Sequence, residues 1–259
     1  EALITALIGG STRAALADTE PGARYDPAVN TRARRQGGDW QLSGEKSPVV
    51  GGEDADWLIV TAADEDGVAG LYLVAGDAPG LSRRGYSLMD GGRGADITFV
   101  AVPGQRLGGH DLLDRPLAAA VLAVCADAVG TIARVLDMTT EHLRTRHQFG
   151  RPIGAFQALA HRLADLVIEA EGARSAVVNL AEHLDAPPML RERHVSATKV
   201  TVGETARLVA EEAIQMHGGI GLTQEYGLGA LARRLLAAEA RFGDADYHLD
   251  RFAMLGRAG

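Results

Sequence analysis

The chain has 259 residues, 46% of them apolar, which is enough to bury one or two cores and excludes disorder as its ground state. Its formal net charge of −8 argues against a nucleic-acid surface, where affinity comes from Lys and Arg neutralising phosphates, although a local basic patch could still hold one phosphorylated cofactor. The single cysteine, Cys125 within the apolar run Ala118–Ala126, excludes a disulfide framework and reads as a buried small hydrophobe.

The chain opens on Glu1, so a processed or partial polypeptide is expected. No basic-then-apolar leader follows, and no stretch approaches the ~20 uncharged apolar residues of a transmembrane helix. The expectation is a cytoplasmic chain without a membrane span. From Asp39 to Pro103, short runs of alternating apolar and polar residues are separated by Gly- or Asp-rich breaks such as Asp64–Gly67 and Gly76–Gly80. The clearest strands are Trp57–Ala62, Val68–Ala75 and Ile97–Val102, which predict an antiparallel sandwich or small barrel, with Gly104–Gly109 as a loop. From Leu112 onward, apolar residues recur at three- and four-residue spacing over Leu112–Arg144, Ala155–Leu184 and Arg191–His217. The short breaks at Phe149–Gly154 and Asp185–Pro188 predict an up-and-down bundle. The predicted class is α+β, with no internal repeat.

Two segments carry chemistry. Arg144–Pro152 places Arg144, Arg146, Gln148 and Arg151 at a helix end closed by Gly150 and Pro152. It reads either as C-capping by cations or as a phosphate clamp. Gln215–Gly221 follows a helix and holds Gly218, Gly219 and Gly221, which is either a simple C-cap or backbone left bare for a pyrophosphate. The eight histidines are scattered without metal-ligand spacing, so no metal site is expected.

Four ordered motifs closely resemble acyl-CoA dehydrogenases: Thr19-Glu20-Pro21-Gly22-Ala23; Leu42, Gly44 and Lys46; Arg146, Phe149, Gly150, Pro152, Phe156 and Gln157; then Gln215, Gly218, Gly219 and Gly221. The resemblance covers nearly the whole chain. It implies a remnant of an N-terminal helical domain at residues 1–10, a middle β-domain at 11–109 and a C-terminal helical bundle at 110–259, most of the N-terminal domain being absent. It also implies FAD held between subunits, with Arg146, Gln148, Phe149, Gln157, Gln215, Gly218 and Gly219 reaching a neighbour's cofactor. Arg suits phosphate and glycines admit close backbone approach.

Against the family pattern, both positions where the catalytic carboxylate is found hold hydrocarbon, Phe242 in the loop Arg241–Asp244 and Ala120 on the first bundle helix. Asp127, Glu239, Asp244 and Asp246 are the acids near enough in sequence to substitute. Pro48-Val49-Val50 replaces an aromatic and a hydroxyl at the flavin ring, Ala23-Arg24-Tyr25-Asp26 puts bulk at the substrate entry, and Thr19 remains as a flavin contact. This pattern resembles one chain of the heteromeric α2β2 acyl-CoA dehydrogenases of actinobacteria, including those of sterol degradation. The expectation is a non-catalytic subunit completing the FAD site of a catalytic partner that holds the acyl-CoA. The alternatives are an active homomeric enzyme with a displaced base, and a relative of the fold with no dehydrogenase role.

Overall fold

The computed structural model describes residues 2–25 and 28–257, so Glu1 and Asp26 lie outside the described residues. The chain divides into two compact units, one ending at Asp114 and the other beginning at Arg115.

In the first unit, a short helix α1 (Ala2–Ile8) precedes seven strands: β1 (Ala14–Ala17), β2 (Arg32–Gln36), β3 (Asp39–Val50), β4 (Trp57–Ala63), β5 (Ala69–Ala75), β6 (Leu81–Ser87) and β7 (Arg93–Gly109). Antiparallel ladders run β2–β3, β3–β7, β7–β5 and β5–β4, and β4 meets β2 at Ala63 and Arg32, so the sheet closes on itself as a small barrel. The closing contact is parallel, as is the pairing of β1 with β4, and these two depart from the expected all-antiparallel order. Both join strands distant in sequence, a register that local alternation does not encode. The alternation does specify the core: along β7, Ala95, Ile97 and Phe99 point inward and pack with Leu42, Leu58, Val60, Tyr72 and Val74.

The predicted loop Gly104–Gly109 is strand. β7 runs on to Gly109, with Gly104 opposite Trp40 and Gly108 opposite Leu71. The pattern breaks there because Ala101 sits at φ 52°, its N–H taken by the Ser43 hydroxyl, and β3 shifts register between Leu42 and Gly44.

The second unit is helical: α2 (Asp114–Thr145), α3 (Gln157–His183), α4 (Pro188–His217), α5 (Leu228–Ala240) and α6 (Ala245–Arg257), with two short strands, β8 (His147–Gln148) and β9 (Arg151–Pro152), between α2 and α3. α4 is the hub. Val195, Ser196, Val202, Gly203, Ala206, Val209, Ala210 and Ala213 are buried around it, and α3, α5 and α6 all pack on it. Pro188 opens it at a position where a missing N–H costs nothing. Between α3 and α4 the Arg162–Glu212 ion pair adds a polar tie.

Contrary to the expectation, one helical stretch, His110–Thr145, is by length and composition apolar enough to cross a membrane, with a window of mean hydropathy 1.9. Its Ala-rich sequence serves the bundle: Val121, Cys125, Ala128, Ile132 and Val135 are core residues, and its mid-helix Asp127 is paired with Arg234 of α5. A core helix and a span share that composition.

Candidate functional site at one end of the helical bundle

At the end of α2 the Arg146 N–H still bonds the His142 carbonyl at 2.9 Å, and the chain then turns through the β8–β9 hairpin. The hairpin turn is Phe149-Gly150, with φ values of 53° and 76°. Positive φ at both central residues is the geometry whose twist matches paired strands, and it costs a residue with a side chain strain at the first of them. Phe149 is nevertheless 91% exposed, its ring edge-on to Phe156 with 6.0 Å between centroids, while Arg151 lies 4.0 Å over the Phe156 ring. The turn after β9 lies close on α2 because residue 154 is glycine; a Cβ there would stand 3.0 Å from the Leu143 carbonyl oxygen. Gln157, exposed, opens α3 and so stands at the positive end of a long helix.

α4 ends at His217 and the chain leaves through Gly218 at φ 64°, ψ −143°, a conformation open essentially to glycine alone. Gly218 and Gly219 are exposed, and a Cβ on either would meet nothing within 4 Å. Packing therefore explains neither glycine; the Gly218 N–H is spent on the Gln215 and Ile214 carbonyls at the end of α4, and the exposed backbone that follows lies open to a ligand. Gly221 differs: it is buried, and a Cβ would press to 3.1 Å on that of His217.

Ring stacking joins the two segments. His142, in the last turn of α2, lies 4.4 Å from the His217 ring at an interplanar angle of 23°. Burial, then the neighbouring His217 and Arg146, push the His142 pKa below its usual value. One end of the bundle thus collects Arg146, Gln148 and Phe149 after α2, Gln157 at the start of α3, and Gln215, Gly218 and Gly219 at the end of α4. Among the described residues, Arg146 has no ion-pair partner, which leaves a free guanidinium in an acidic chain. Exposed cation, amide side chains, open glycine backbone and a helix N-terminus form a donor set suited to a dinucleotide's phosphates and polar edges.

The carboxylates that could act as a base are placed otherwise. Ala120 is half-buried on α2, and Phe242, between α5 and α6 at φ 61°, packs against the bundle core. Asp127 accepts two bonds from Arg234, at 2.5 and 2.8 Å, and that partner holds its carboxyl below the usual range. Asp244 is buried and caps α6, its Oδ1 accepting the Tyr247 N–H at 2.9 Å. Glu239 accepts the Ala245 N–H at 3.4 Å, and Asp246 is exposed in the first turn of α6.

Sequence reasoning missed what holds this loop. Buried Lys199 donates to the carbonyls of Ala238, Glu239 and Gly243 at 3.0, 2.6 and 2.7 Å, a C-cap of α5 made by a lysine from another helix. His248 Nε2 donates to the Phe242 carbonyl at 2.9 Å while Nδ1 faces the Ser196 hydroxyl at 3.3 Å. Burial, first among the causes, lowers the His248 pKa to about 4, so its ring is neutral.

In the β-unit, the quoted motif residues Glu20 and Lys46 prove structural. Glu20 Oε1 accepts from Lys46 Nζ at 2.6 Å and from the Asn30 and Thr31 N–H groups at 3.1 Å, and Lys46 also donates to Thr61 at 2.8 Å. Burial opposes both charges, lowering Lys46, yet the bonds from Lys46 and Thr31 leave Glu20 with a net lowered pKa. Thr19 is half-buried, its hydroxyl on Asp18 and its carbonyl accepting the Ser47 N–H. Pro48 and Val50 are exposed and Val49 is buried in β3; Tyr25 stands at φ 60° with Arg24 5.8 Å from its ring.

Profiles of two acyl-CoA dehydrogenase domains match the chain, the middle domain over residues 15–102 and the C-terminal domain over residues 108–255. The chain therefore belongs to the acyl-CoA dehydrogenase family. Among similar curated proteins, a probable acyl-CoA dehydrogenase, YngJ, of Bacillus subtilis is 30% identical over 89% of this chain and 64% of its own length. The mitochondrial 2-methylacyl-CoA dehydrogenase of Solanum tuberosum is 31% identical over 93% of the chain and 62% of its own length. The chain thus spans less than two thirds of these relatives. A variant of the Tcur3481-Tcur3483 steroid acyl-CoA dehydrogenase superposes with a TM-score of 0.88 at 32% identity, covering 99% of this chain and 71% of that one. The ChsE4-ChsE5 complex from Mycobacterium tuberculosis superposes at 0.90 with 26% identity, over 98% and 69% of the respective chains.

Proposed function

We propose that this chain is a subunit of a heteromeric, FAD-dependent acyl-CoA dehydrogenase, completing the FAD site of a catalytic partner and contributing no catalytic base. The observation that carries the reading is one contrast. The end of the bundle presents an unpaired Arg146, the exposed Gln148, Gln157 and Gln215 and the open Gly218–Gly219 backbone, whereas the two places where the family keeps its carboxylate hold Ala120 and Phe242. The acids nearby are engaged in holding the fold, Asp127 by Arg234 and Asp244 as a helix cap. The strained, 91% exposed Phe149 belongs to the same surface, since an apolar ring held out in water on a costly turn gains energy only when covered.

In this reading Arg146 and the exposed backbone that follows Gly218 bind the pyrophosphate, and Gln148, Gln157 and Gln215 meet the neutral polar edges. Bound FAD supplies the hydride acceptor for α,β-desaturation of an acyl-CoA. The partner supplies the proton-abstracting carboxylate and the acyl pocket. Both structural neighbours are named as pairs of proteins, which supports a two-chain assembly, and one of them is a steroid acyl-CoA dehydrogenase.

The test is to purify this chain alone and co-expressed with candidate catalytic chains of the same family from its genome, recording flavin absorbance, subunit mass and acyl-CoA oxidation. FAD and turnover are expected only in the mixed assembly, an α2β2 tetramer, and Arg146→Ala is expected to strip FAD by about tenfold or more in affinity. Stoichiometric FAD and turnover from this chain alone would overturn the proposal and send the search for a base to Glu239 and Asp246.

A further inference from the structure

His217 is held from three sides. Its Nδ1 donates to the Ala213 carbonyl at 2.8 Å, and Nε2 faces the Tyr226 hydroxyl at 3.2 Å. One face of the ring stacks on His142 at 4.4 Å, and the Tyr226 ring lies 5.3 Å away. His217 is buried, and Gly221 packs close beside it, where an added Cβ would stand 3.1 Å from the His217 Cβ. Every one of these ties reaches a different stretch: α4 itself, the segment leading into α5, and the last turn of α2. The two residues at issue sit directly beyond the pair. Gly218 follows His217 in the chain, and Arg146 is one turn past His142, bonded to its carbonyl.

We infer that His217, clamped by His142 and Tyr226, is a positioning residue that fixes the Gly218–Gly219 turn relative to Arg146, so that the glycine backbone and the guanidinium present one rigid phosphate cradle. The inference rests on the FAD half-site reading. A bidentate cradle assembled from the ends of two helices binds tightly only if the spacing between them is set before the ligand arrives, because ordering it afterwards costs affinity. The stacked rings set that spacing, and Tyr226 keeps the His217 ring from swinging off the stack. Neither ring touches the cofactor in this scheme.

The test uses the full chain in whichever assembly carries FAD, with Tyr226→Phe, His217→Phe, His217→Gln and Arg146→Ala compared for FAD retention on dilution and for unfolding midpoint. Amide exchange at Gly218–Gly221 and Arg146–Ile153 is read in the chain alone. Tyr226→Phe, which removes a single hydroxyl, is expected to speed exchange at Gly218–Gly221 and to weaken FAD retention by about five- to tenfold with the midpoint little changed. His217→Phe should do more, and His217→Gln, which restores a polar group able to bond the Tyr226 hydroxyl, should recover most of the loss. If Arg146→Ala releases FAD while Tyr226→Phe and His217→Phe retain it and leave exchange at wild-type rates, the positioning role is wrong and the half-site stands. If Arg146→Ala leaves FAD in place, the half-site reading fails, and the exchange data still decide whether His217 pins the turn: unchanged exchange in Tyr226→Phe overturns it. A fall in midpoint without change in exchange or retention marks a purely structural role and also overturns it.

Discussion

At the scale of single residues, the polar groups hidden in the apolar interior decide the most. Lys46 and Glu20 are both essentially inaccessible, and each is tolerable only because the other is charged. Lys46→Met leaves a buried carboxylate unpaired and is expected to cost about 3–5 kcal/mol in chemical unfolding, with much of this recovered in the double variant Glu20→Gln/Lys46→Met; a cost under about 1 kcal/mol for the single variant would mean the pair is dispensable. His248 gives the stability a pH dependence. Burial lowers its folded pKa to about 4 from the ordinary 6.5, so between those values the unfolded chain binds the extra proton. The contribution is whole above pH 6.5 and is lost as pH falls towards 4, on the order of 3 kcal/mol in all. Unfolding titrations across that window should show the loss shrink in His248→Gln; an identical slope in both proteins would remove His248 as its source. Of these residues the sequence marks Glu20 and Lys46 only as members of a motif, and it is silent on His248 and Lys199. Their partners lie across the fold, where spacing along the chain says nothing of depth.

At the scale of elements, periodicity carries far, and it fails where a bulge or a distant pairing intervenes. The three long helices are legible because their apolar residues recur with the helical period, and the strands around Ile97 and Leu73 because theirs alternate. The end of β7 is not legible, since Ala101, Pro103, Gly104 and Gly108 imitate a loop. The β8–β9 hairpin is legible only as a helix stop, because the Phe149-Gly150 turn uses a residue that such turns disfavour. That choice is itself testable. Phe149→Asn places a residue suited to positive φ in the turn and should stabilise the chain alone by about 1 kcal/mol, while weakening its assembly with the partner. Thermal unfolding and an association titration measure the two effects, and unchanged association would show that the exposed ring has no role in binding. The gathering of Arg146, Gln157 and Gly218 at one end of the bundle follows from alternating helix directions, which the break lengths foretell; the His142–His217 stack that joins two of those segments does not.

At the scale of the whole molecule, the α+β order of a closed β-unit followed by a helical unit follows from two periodicities in one chain, and family membership rests on matches to both halves. The mixed assembly is the prediction proper to this scale, because flavin content and mass there report on chains and not on side chains. One local feature bears on how such an assembly arises. The turn between α5 and α6 is tethered by Lys199 and His248 entirely through carbonyl oxygens, those of Ala238, Glu239, Phe242 and Gly243. These four bonds are made to backbone oxygens and call for no particular side chain at residue 242, although the Phe242 ring adds its own packing on the bundle core. In a two-chain assembly of the kind proposed, residue 242 can vary in one chain while these tethers remain, provided that the other chain keeps the reactive group. Phe242→Glu would put a carboxylate in that loop at the cost of the phenyl packing, with the Lys199 and His248 bonds still available to hold the backbone.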